Sequence, residues 1–376
     1  MKPDDTLFAG TLHSLIKKSL DRDPDISRDV FLMCFCLEVT KHDLLALILC
    51  LMEDRDDPYF TKATQLLQYW IDLYWIEDFV REDDNLRLLI CSWKALSLPL
   101  TLPAHERIAV THSMRQVSRE PIQPFPAIHD GGLLQLGPKE LAHQLCLLDM
   151  ESIQTVNRDR LLQYVQSGGK IGLAITIRFN RLTASLVSAV LHEETPKERA
   201  RVLEFIVQLG EELKRLGNFQ SLGCVVAALT TSTVTRLRRT RSEVKKKYQT
   251  MSEGLVELMS VTRSFGNMRK AYLATPHPKI PFVAVTMTDL NFVFQGNSRY
   301  LSGSSDDEAS TRQINYWNWT MYHSIITEFM HPRGAVDYPF VREERVMTML
   351  SDLLVMDKSW NDQTYQRSLE LEPRNQ

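Results

Sequence analysis

Residues 195–218 read TPKERARVLEFIVQLGEELKRLGN and carry the most complete helix signature in the chain. Thr195 and Glu198 have the spacing of a capping box, Pro196 suits a first helical position, and Gly217-Asn218 supplies a stop. The apolar residues between these ends share one helix face: Val202, Phe205, Ile206, Leu209, Leu213 and Leu216. Similar periodicity continues along the chain and long alternating β-branched runs are missing, so we predict an all-α protein.

The composition is that of an ordinary folded protein, and it argues against nucleic acid as a partner. A formal net charge of -3 provides no general basic field for a phosphate backbone. No CxxC pair occurs among the cysteines, which favours buried free thiols in a reducing compartment. They are Cys34, Cys36, Cys50, Cys91, Cys146 and Cys224. The first residues contain no apolar signal segment, so we expect a cytoplasmic location.

One segment, residues 97–137, differs from the helical sequence on either side. It concentrates proline and glycine, at Pro99, Pro103, Pro121, Pro124, Pro126, Gly131 and Gly132. This composition predicts a linker between a small helical bundle, residues 1–96, and a larger helical domain, residues 138–376. Within the larger domain, the Ser- and Asp-rich residues 302–310 predict a mobile loop between two helices.

The motifs of covalent and nucleotide-binding chemistry are missing from the sequence. It contains no GxxxxGK[ST] loop, no GxGxxG turn after a strand and no HExxH pair, so we predict neither a bond-making enzyme nor a cofactor. His192-Glu193-Glu194 is better explained as a charged helix end than as a ligand set. The basic residues between Arg236 and Lys247 favour a solvated helix end and loop, with contact to anionic lipid as the alternative.

Residues 276–297 read PHPKIPFVAVTMTDLNFVFQGN: proline, apolar, proline, aromatic, then a helix with Thr-Asp-Leu and a final Gly-Asn. This segment resembles the most distinctive part of the Ras-family guanine-nucleotide exchange factors. Further blocks resemble that family in its order, at residues 140–149, 197–200 with 216–219, 232–237, 314–316 and 365–374. Residues 10–16, 31–32 and 66–79 resemble the Ras exchanger motif, so the resemblance covers nearly the whole chain.

The resemblance implies a factor that promotes GDP release without making or breaking a bond. A helical hairpin, placed at about residues 282–296 and 313–330, would open the nucleotide and magnesium site of a Ras, Rap or Ral type GTPase. It also implies a nucleotide-free complex, at most peripheral membrane contact, and recruitment to membranes by the GTPase. The implied hairpin site residues are Phe282, Met287, Asn291, Phe294, Gln295 and Asn297. The implied GTPase-binding residues are His143, Cys146, Leu147, Asn218 and Phe265.

Some residues depart from the family pattern and leave alternatives open. Gln295 stands where many Ras-directed members carry an acidic residue, and Asn291 stands where an apolar or small one is usual. A Rap-like partner, or an exchange-inactive GTPase-binding scaffold, is therefore an alternative to an active Ras exchange factor. Phe282 has the competing interpretation of a core aromatic, while Asp289 is interpreted as an anchor. The exchanger motif would either brace the hairpin or add an allosteric GTPase site.

Overall fold

Helices account for nearly all regular structure in the computed structural model, which confirms the predicted all-α class. The structure describes residues 9–23, 26–80, 86–87, 90, 136–301, 312–330, 338–351 and 360–373. In chain order the elements are β1 Ala9–Thr11, α1 Leu12–Asp21, α2 Arg28–Cys34, a 3₁₀ turn Phe35–Leu37, α3 Lys41–Cys50, α4 Phe60–Tyr74, a π-helical segment Trp75–Val80, α5 Pro138–Gln154, α6 Arg158–Gln166, α7 Ala174–His192, α8 Pro196–Arg215, α9 Phe219–Thr230, α10 Ser232–Thr235, α11 Arg238–Glu243, α12 Lys246–Leu258, α13 Thr262–Ala274, α14 Val283–Gly296, β2 Gln313–Asn315, α15 Tyr316–Met330, α16 Glu344–Ser351 and α17 Trp360–Leu371.

The chain divides into two compact units, and each draws on two separate stretches of sequence. What we call the N-terminal unit combines the described residues up to position 90 with Leu290–Thr327. The main unit combines residues from 136 to Asp289 with those from Glu328 onwards. The predicted domain limits, 1–96 and 138–376, remain predictions. The predicted linker, except for its last two residues, and the predicted loop 302–310 lie outside the described residues.

Aromatic side chains form the core of the N-terminal unit. Phe35 packs edge-on against Trp70 at 5.1 Å between ring centroids, and Trp70 lies 5.1 Å from Phe79. The indole N–H of Trp70 donates to buried Asp78, whose carboxylate also pairs with Lys41 at 2.9 Å. The pairing satisfies a charge that would otherwise be costly to bury. This explains why an acidic residue is tolerated beside the helix that the sequence marks as amphipathic.

Helix α8 lies at the centre of the main unit and follows the sequence prediction closely. Thr195 and Glu198 form the capping box, and Gly217 ends the helix with φ 72°. A Cβ at Gly217 would stand 2.8 Å from a Thr275 methyl, so both its backbone conformation and its surroundings require glycine. Side chains of α8 pack with side chains of α5, α7 and α9 in one hydrophobic core. Its members include Leu141, Leu145, Leu186, Val190, Ile206, Leu213, Leu222 and Val225.

The cysteine prediction is correct for some residues and wrong for one. Cys34, Cys146 and Cys224 are buried free thiols and Cys36 is half-buried, but Cys50 is exposed. Cys50 ends α3, where the helix turns its last residue to solvent, so the apolar run before it was a misleading guide. Cys91 lies outside the described residues. In the part of the chain that the structure describes, no helix is both long enough and apolar enough to cross a membrane.

Candidate functional site

Two of the predicted site residues, Phe265 and Phe282, meet in a half-buried aromatic cluster in the main unit. The Phe282 ring meets that of Phe265 edge-on, with 5.9 Å between centroids and 82° between planes. On its other side Phe282 stacks with Phe179 of α7 at 5.8 Å and 30°. Sequence reasoning missed Phe179 because nothing in α7 marks it out except its helical spacing. All three rings remain partly exposed, so together they present an apolar surface to solvent.

The position of Phe282 depends on a glycine in the neighbouring helix α9. A Cβ built on Gly223 would lie 2.8 Å from one Phe282 ring carbon and 3.0 Å from another, closer than real Cβ contacts. The ring therefore packs directly on the helix backbone. Gln220, one turn earlier, accepts a hydrogen bond from the backbone N–H of Val283 at 3.1 Å, which fixes the first residue of α14. Neither residue had been identified from the sequence.

The chain leading to Phe282 is attached to the junction between α8 and α9. The N–H of fully buried Ile280 donates to the carbonyl of Gly217 at 2.9 Å, and the N–H of Phe219 donates back to the carbonyl of Ile280 at 3.0 Å. Such a two-sided backbone bridge leaves Phe282 little freedom, because its neighbour two residues earlier is bonded on both sides. The start of the 276–297 segment is thus fixed through Ile280, and this fixes the position of Phe282.

Cys146 and Asn218 belong to a buried polar network below this surface. The Asn218 amide donates to Asp149 at 2.9 Å and to the Cys146 sulfur at 3.7 Å, and its oxygen caps α9 by accepting from the N–H of Ser221 at 3.0 Å. Burial raises the pKa of the Asp149 carboxyl and raises that of Cys146 to about 12. Both Cys146 and Asn218 are wholly buried, so they contribute by holding α5 to the start of α9.

His143 and Leu147 are more accessible residues of helix α5. The His143 ring lies flat on Phe340, with 3.8 Å between centroids and 9° between planes. Burial, aided by Lys139 and Arg215, lowers the pKa of His143, which favours the neutral imidazole. Leu147 is half-buried against the same apolar cluster as Phe340. These two side chains form a partly exposed, partly apolar surface on α5.

The predicted hairpin residues on α14 differ in exposure along the helix. Met287 is half-buried, and its sulfur accepts a hydrogen bond from Thr176 at 3.8 Å. Phe294 is 39% exposed and Gln295 is exposed, while Asn291 and Asn297 are half-buried. Phe292, which was not among the predicted residues, is 63% exposed. Exposed aromatic rings at this density are typical of binding surfaces.

In the N-terminal unit, the residues after α14 pair with those before α15. Ile314 of β2 lies opposite Gly10 of β1 and also bridges to Tyr300. The side-chain amides of Asn315 and Asn318 both donate to the carbonyl of Ser298, at 3.0 and 3.1 Å. The two ends of the segment between α14 and α15 are therefore hydrogen-bonded to each other, and the segment is also hydrogen-bonded to strand β1.

Glu38, just after the 3₁₀ turn, makes further contacts with this connection, and helix α2 packs against α15. Glu38 accepts from Arg299 at 3.0 Å and from the Tyr300 hydroxyl at 2.9 Å. The indole of Trp319 packs against Phe31 at 6.3 Å between centroids. The side chain of Trp319 is only 2% exposed, so an aromatic residue suits this buried position.

The arrangement offers contact surfaces made of partly exposed aromatic and aliphatic side chains. Among the described residues, no three His, Cys, Asp or Glu side chains come together as a metal site requires.

Comparison with known proteins relates this chain to a protein family. Residues 140–323 match the family model described as the RasGEF domain. Ras guanine nucleotide exchange factor K of Dictyostelium discoideum is 27% identical over 250 residues, which are 65% of this chain. Ras-specific guanine nucleotide-releasing factor RalGPS2 of Homo sapiens is 25% identical over 74% of this chain, and RAS guanyl-releasing protein 2-B of Xenopus laevis is 24% identical over 98% of it.

The matches cover 15%, 48% and 62% of the lengths of these three relatives, so the chain spans less than two thirds of each.

Proposed function

We propose, from the premise that this chain contains a RasGEF domain, that it promotes GDP release from a small GTPase of Ras or Rap type. The observation that carries the proposal is the half-exposed cluster of Phe179, Phe265 and Phe282 at the start of α14, inside the matched domain. The names of the related proteins support exchange activity in general.

In the proposed mechanism, two helices of this chain insert into the GTPase and open its nucleotide site. A GTPase holds its nucleotide through phosphate-binding backbone groups and Mg²⁺, so release is slow until those contacts are opened. Helices α14 and α15 would displace one switch of the GTPase, using the exposed residues Phe292, Phe294 and Gln295. Speeding release about 10⁵-fold requires roughly 7 kcal/mol of barrier lowering, which a large interface can supply.

The aromatic cluster would grip the other switch. Phe265 and Phe282 are partly exposed and can contact an apolar partner directly, as can Leu147. Cys146 and Asn218 are enclosed, so we assign them to positioning the surface and not to touching the GTPase. Met287, bound to Thr176, would hold the first turns of α14.

The N-terminal residues would act as an exchanger motif that braces the hairpin connection. In the N-terminal unit, Glu38 and the strand Ala9–Thr11 contact that connection, and Phe31 packs against Trp319 of α15, which supports bracing. We further propose the domain limits 1–96 and 138–376 with the linker 97–137. A cytoplasmic location with recruitment to membranes by the GTPase completes the proposal.

The test is release of a fluorescent GDP analogue from purified Ras, Rap and Ral, in excess unlabelled nucleotide. The chain should accelerate release from at least one of them, and Phe282→Ala should abolish that acceleration. Phe205→Ala is the matched control, because Phe205 is also a half-buried aromatic of the main unit but is distant in sequence from every proposed contact. Equal loss in both variants would contradict the assignment of Phe282.

The same assay tests the scaffold alternative, which the departures at Asn291 and Gln295 leave open. A scaffold would capture a nucleotide-free GTPase on beads without accelerating release. Acceleration of release from any member of the panel excludes it.

A further inference from the structure

The backbone that carries Phe265 is held in an unfavourable conformation. Arg263, Ser264 and Phe265 all lie in the left-handed region, with φ of 53°, 53° and 61°, and none of them is glycine. Three consecutive L-residues in this region are rare, since each costs energy that the surroundings must offset. Phe265 occupies the last of these positions, so the direction of its ring depends on whatever keeps the turn in place.

The side chain of Arg269 binds that turn and the helix α14 at once. Its Nε donates to the carbonyl of Ser264 at 2.8 Å. Its terminal nitrogen donates to both carboxylate oxygens of Asp289, each at 2.7 Å. A guanidinium group can direct donors to two partners in a fixed geometry, which the single ammonium of lysine cannot reproduce.

We propose that Arg269 and Asp289 form a positioning pair that sets Phe265 against Phe282. The proposal rests on the proposed exchange function, and it assigns Arg269 no contact with the GTPase. The pair is 33% and 23% exposed, and ion pairs this accessible to water contribute little to global stability. Its removal is therefore expected to loosen the strained turn and to leave the fold intact.

The experiment compares Arg269→Ala and Asp289→Ala, singly and together, with Arg367→Ala as the control. Arg367 suits this role because it is 38% exposed and also pairs with carboxylates, those of Glu194 and Glu370. Arg269→Ala should lower kcat/KM for nucleotide release roughly ten- to a hundredfold, as expected when a contact group is misplaced. The double variant should be no worse than Arg269→Ala, because the two residues act through one contact.

Hydrogen exchange of the backbone amides of residues 262–268 supplies a readout independent of activity. Exchange there should be faster in Arg269→Ala and unchanged in Arg367→Ala, with both melting temperatures close to that of the unsubstituted protein. Arg269→Lys should give release rates and exchange rates between those of the unsubstituted protein and those of Arg269→Ala, since an ammonium group can make only some of the same hydrogen bonds.

The outcomes separate this inference from the proposed function. If the unsubstituted chain accelerates no GTPase, the proposed function fails, while hydrogen exchange still tests whether Arg269 holds the turn. If the chain is active and Arg269→Ala behaves like Arg367→Ala in both readouts, the positioning pair is wrong. Loss of activity with unchanged exchange at residues 262–268 would also overturn it, because Arg269 would then act by direct contact.

Discussion

Side chains at the beginning of helix α14 and aromatic side chains near its end differ in their exposure to solvent. At the beginning, Val283 is 1% exposed, and Phe282 just before it packs on the backbone of Gly223. Near the end, Phe292 is 63% and Phe294 39% exposed. Val283 and Phe282 at the beginning stabilise the fold, whereas the exposed rings of Phe292 and Phe294 near the end contribute little to it. Such exposed rings are best explained by a partner that buries them, and each substitution below tests that contrast.

Among the substitutions that test this contrast, the largest effect is expected at Gly223. Gly223→Ala places a methyl group within 3 Å of the Phe282 ring, so the ring must move or the helix must shift. We expect acceleration of nucleotide release to fall at least tenfold, and the free energy of unfolding to drop by about 1–3 kcal/mol, as for other overpacked sites. Nucleotide release and urea denaturation measure the two quantities.

Gly254→Ala is the control for this prediction. Gly254 also lies within a helix, but a Cβ there meets nothing within 4 Å. The substitution should leave release unchanged and stabilise the protein by about 0.4–1 kcal/mol. Similar losses in both variants would show that the ring contact at Gly223 is unimportant.

At the other end of the helix, the double substitution Phe292→Ala/Phe294→Ala should separate activity from stability. Because both rings are substantially exposed, the free energy of unfolding should change by no more than about 0.5 kcal/mol per site. Nucleotide release should slow roughly tenfold or more, since aromatic contacts dominate many interfaces. Leu73→Ala, at a 46% exposed position of α4, is the control. A large loss of stability with normal release would reverse our interpretation of this end.

A smaller effect is expected from Gln295→Glu, which introduces the acidic residue that the family resemblance implies for Ras-directed members. A carboxylate brought near the GTPase phosphates and Mg²⁺ would compete with them by repulsion. Release from a Ras-type GTPase should accelerate about threefold, equivalent to ~0.7 kcal/mol. Gln295→Ala should not accelerate it. If Gln295→Glu and Gln295→Ala gave equal rates of nucleotide release, the side chain at position 295 would lie outside the nucleotide site of the GTPase.

The smallest effect concerns pH and His143. The folded state lowers the pKa of His143, so below the ordinary value near 6.5 the unfolded chain binds the proton more readily. Its contribution to stability is therefore present above that pH and is lost as the pH falls through it. His143→Phe keeps a ring against Phe340 without this titration. Between pH 7.5 and 5.5, the melting temperature of the unsubstituted protein should fall further than that of the variant.

The sequence predicted the helices best where local signals are strong. The capping box at Thr195 and the stop at Gly217 gave α8 almost residue by residue, because caps and periodicity are local properties. The pairing of Phe265 with Phe282 came from family resemblance and not from spacing. Gly223, Phe179 and Arg269 were missed, since their importance arises from contacts between segments distant in sequence.

Cys50, which is exposed, and Asn218, which is buried, show that the burial of a residue also depends on contacts that the local sequence does not reveal. An apolar run does not say which residue of its last turn meets solvent, and an asparagine before a helix signals a cap without revealing its depth. Asn218 does cap α9, as its position suggests, but its other contacts, to Asp149 and Cys146, bury it completely.

The pairing of Ala9–Thr11 with Gln313–Asn315 also constrains the order of folding during synthesis. At ribosomal rates of about 5–20 residues per second, roughly 15–60 s pass between the emergence of the first strand and that of the second. For that time β1 has no partner strand, while the helices from α5 to α13 are already available to fold. A nascent chain stalled before residue 313 would therefore hold the aromatic cluster without the connection that joins α14 to α15.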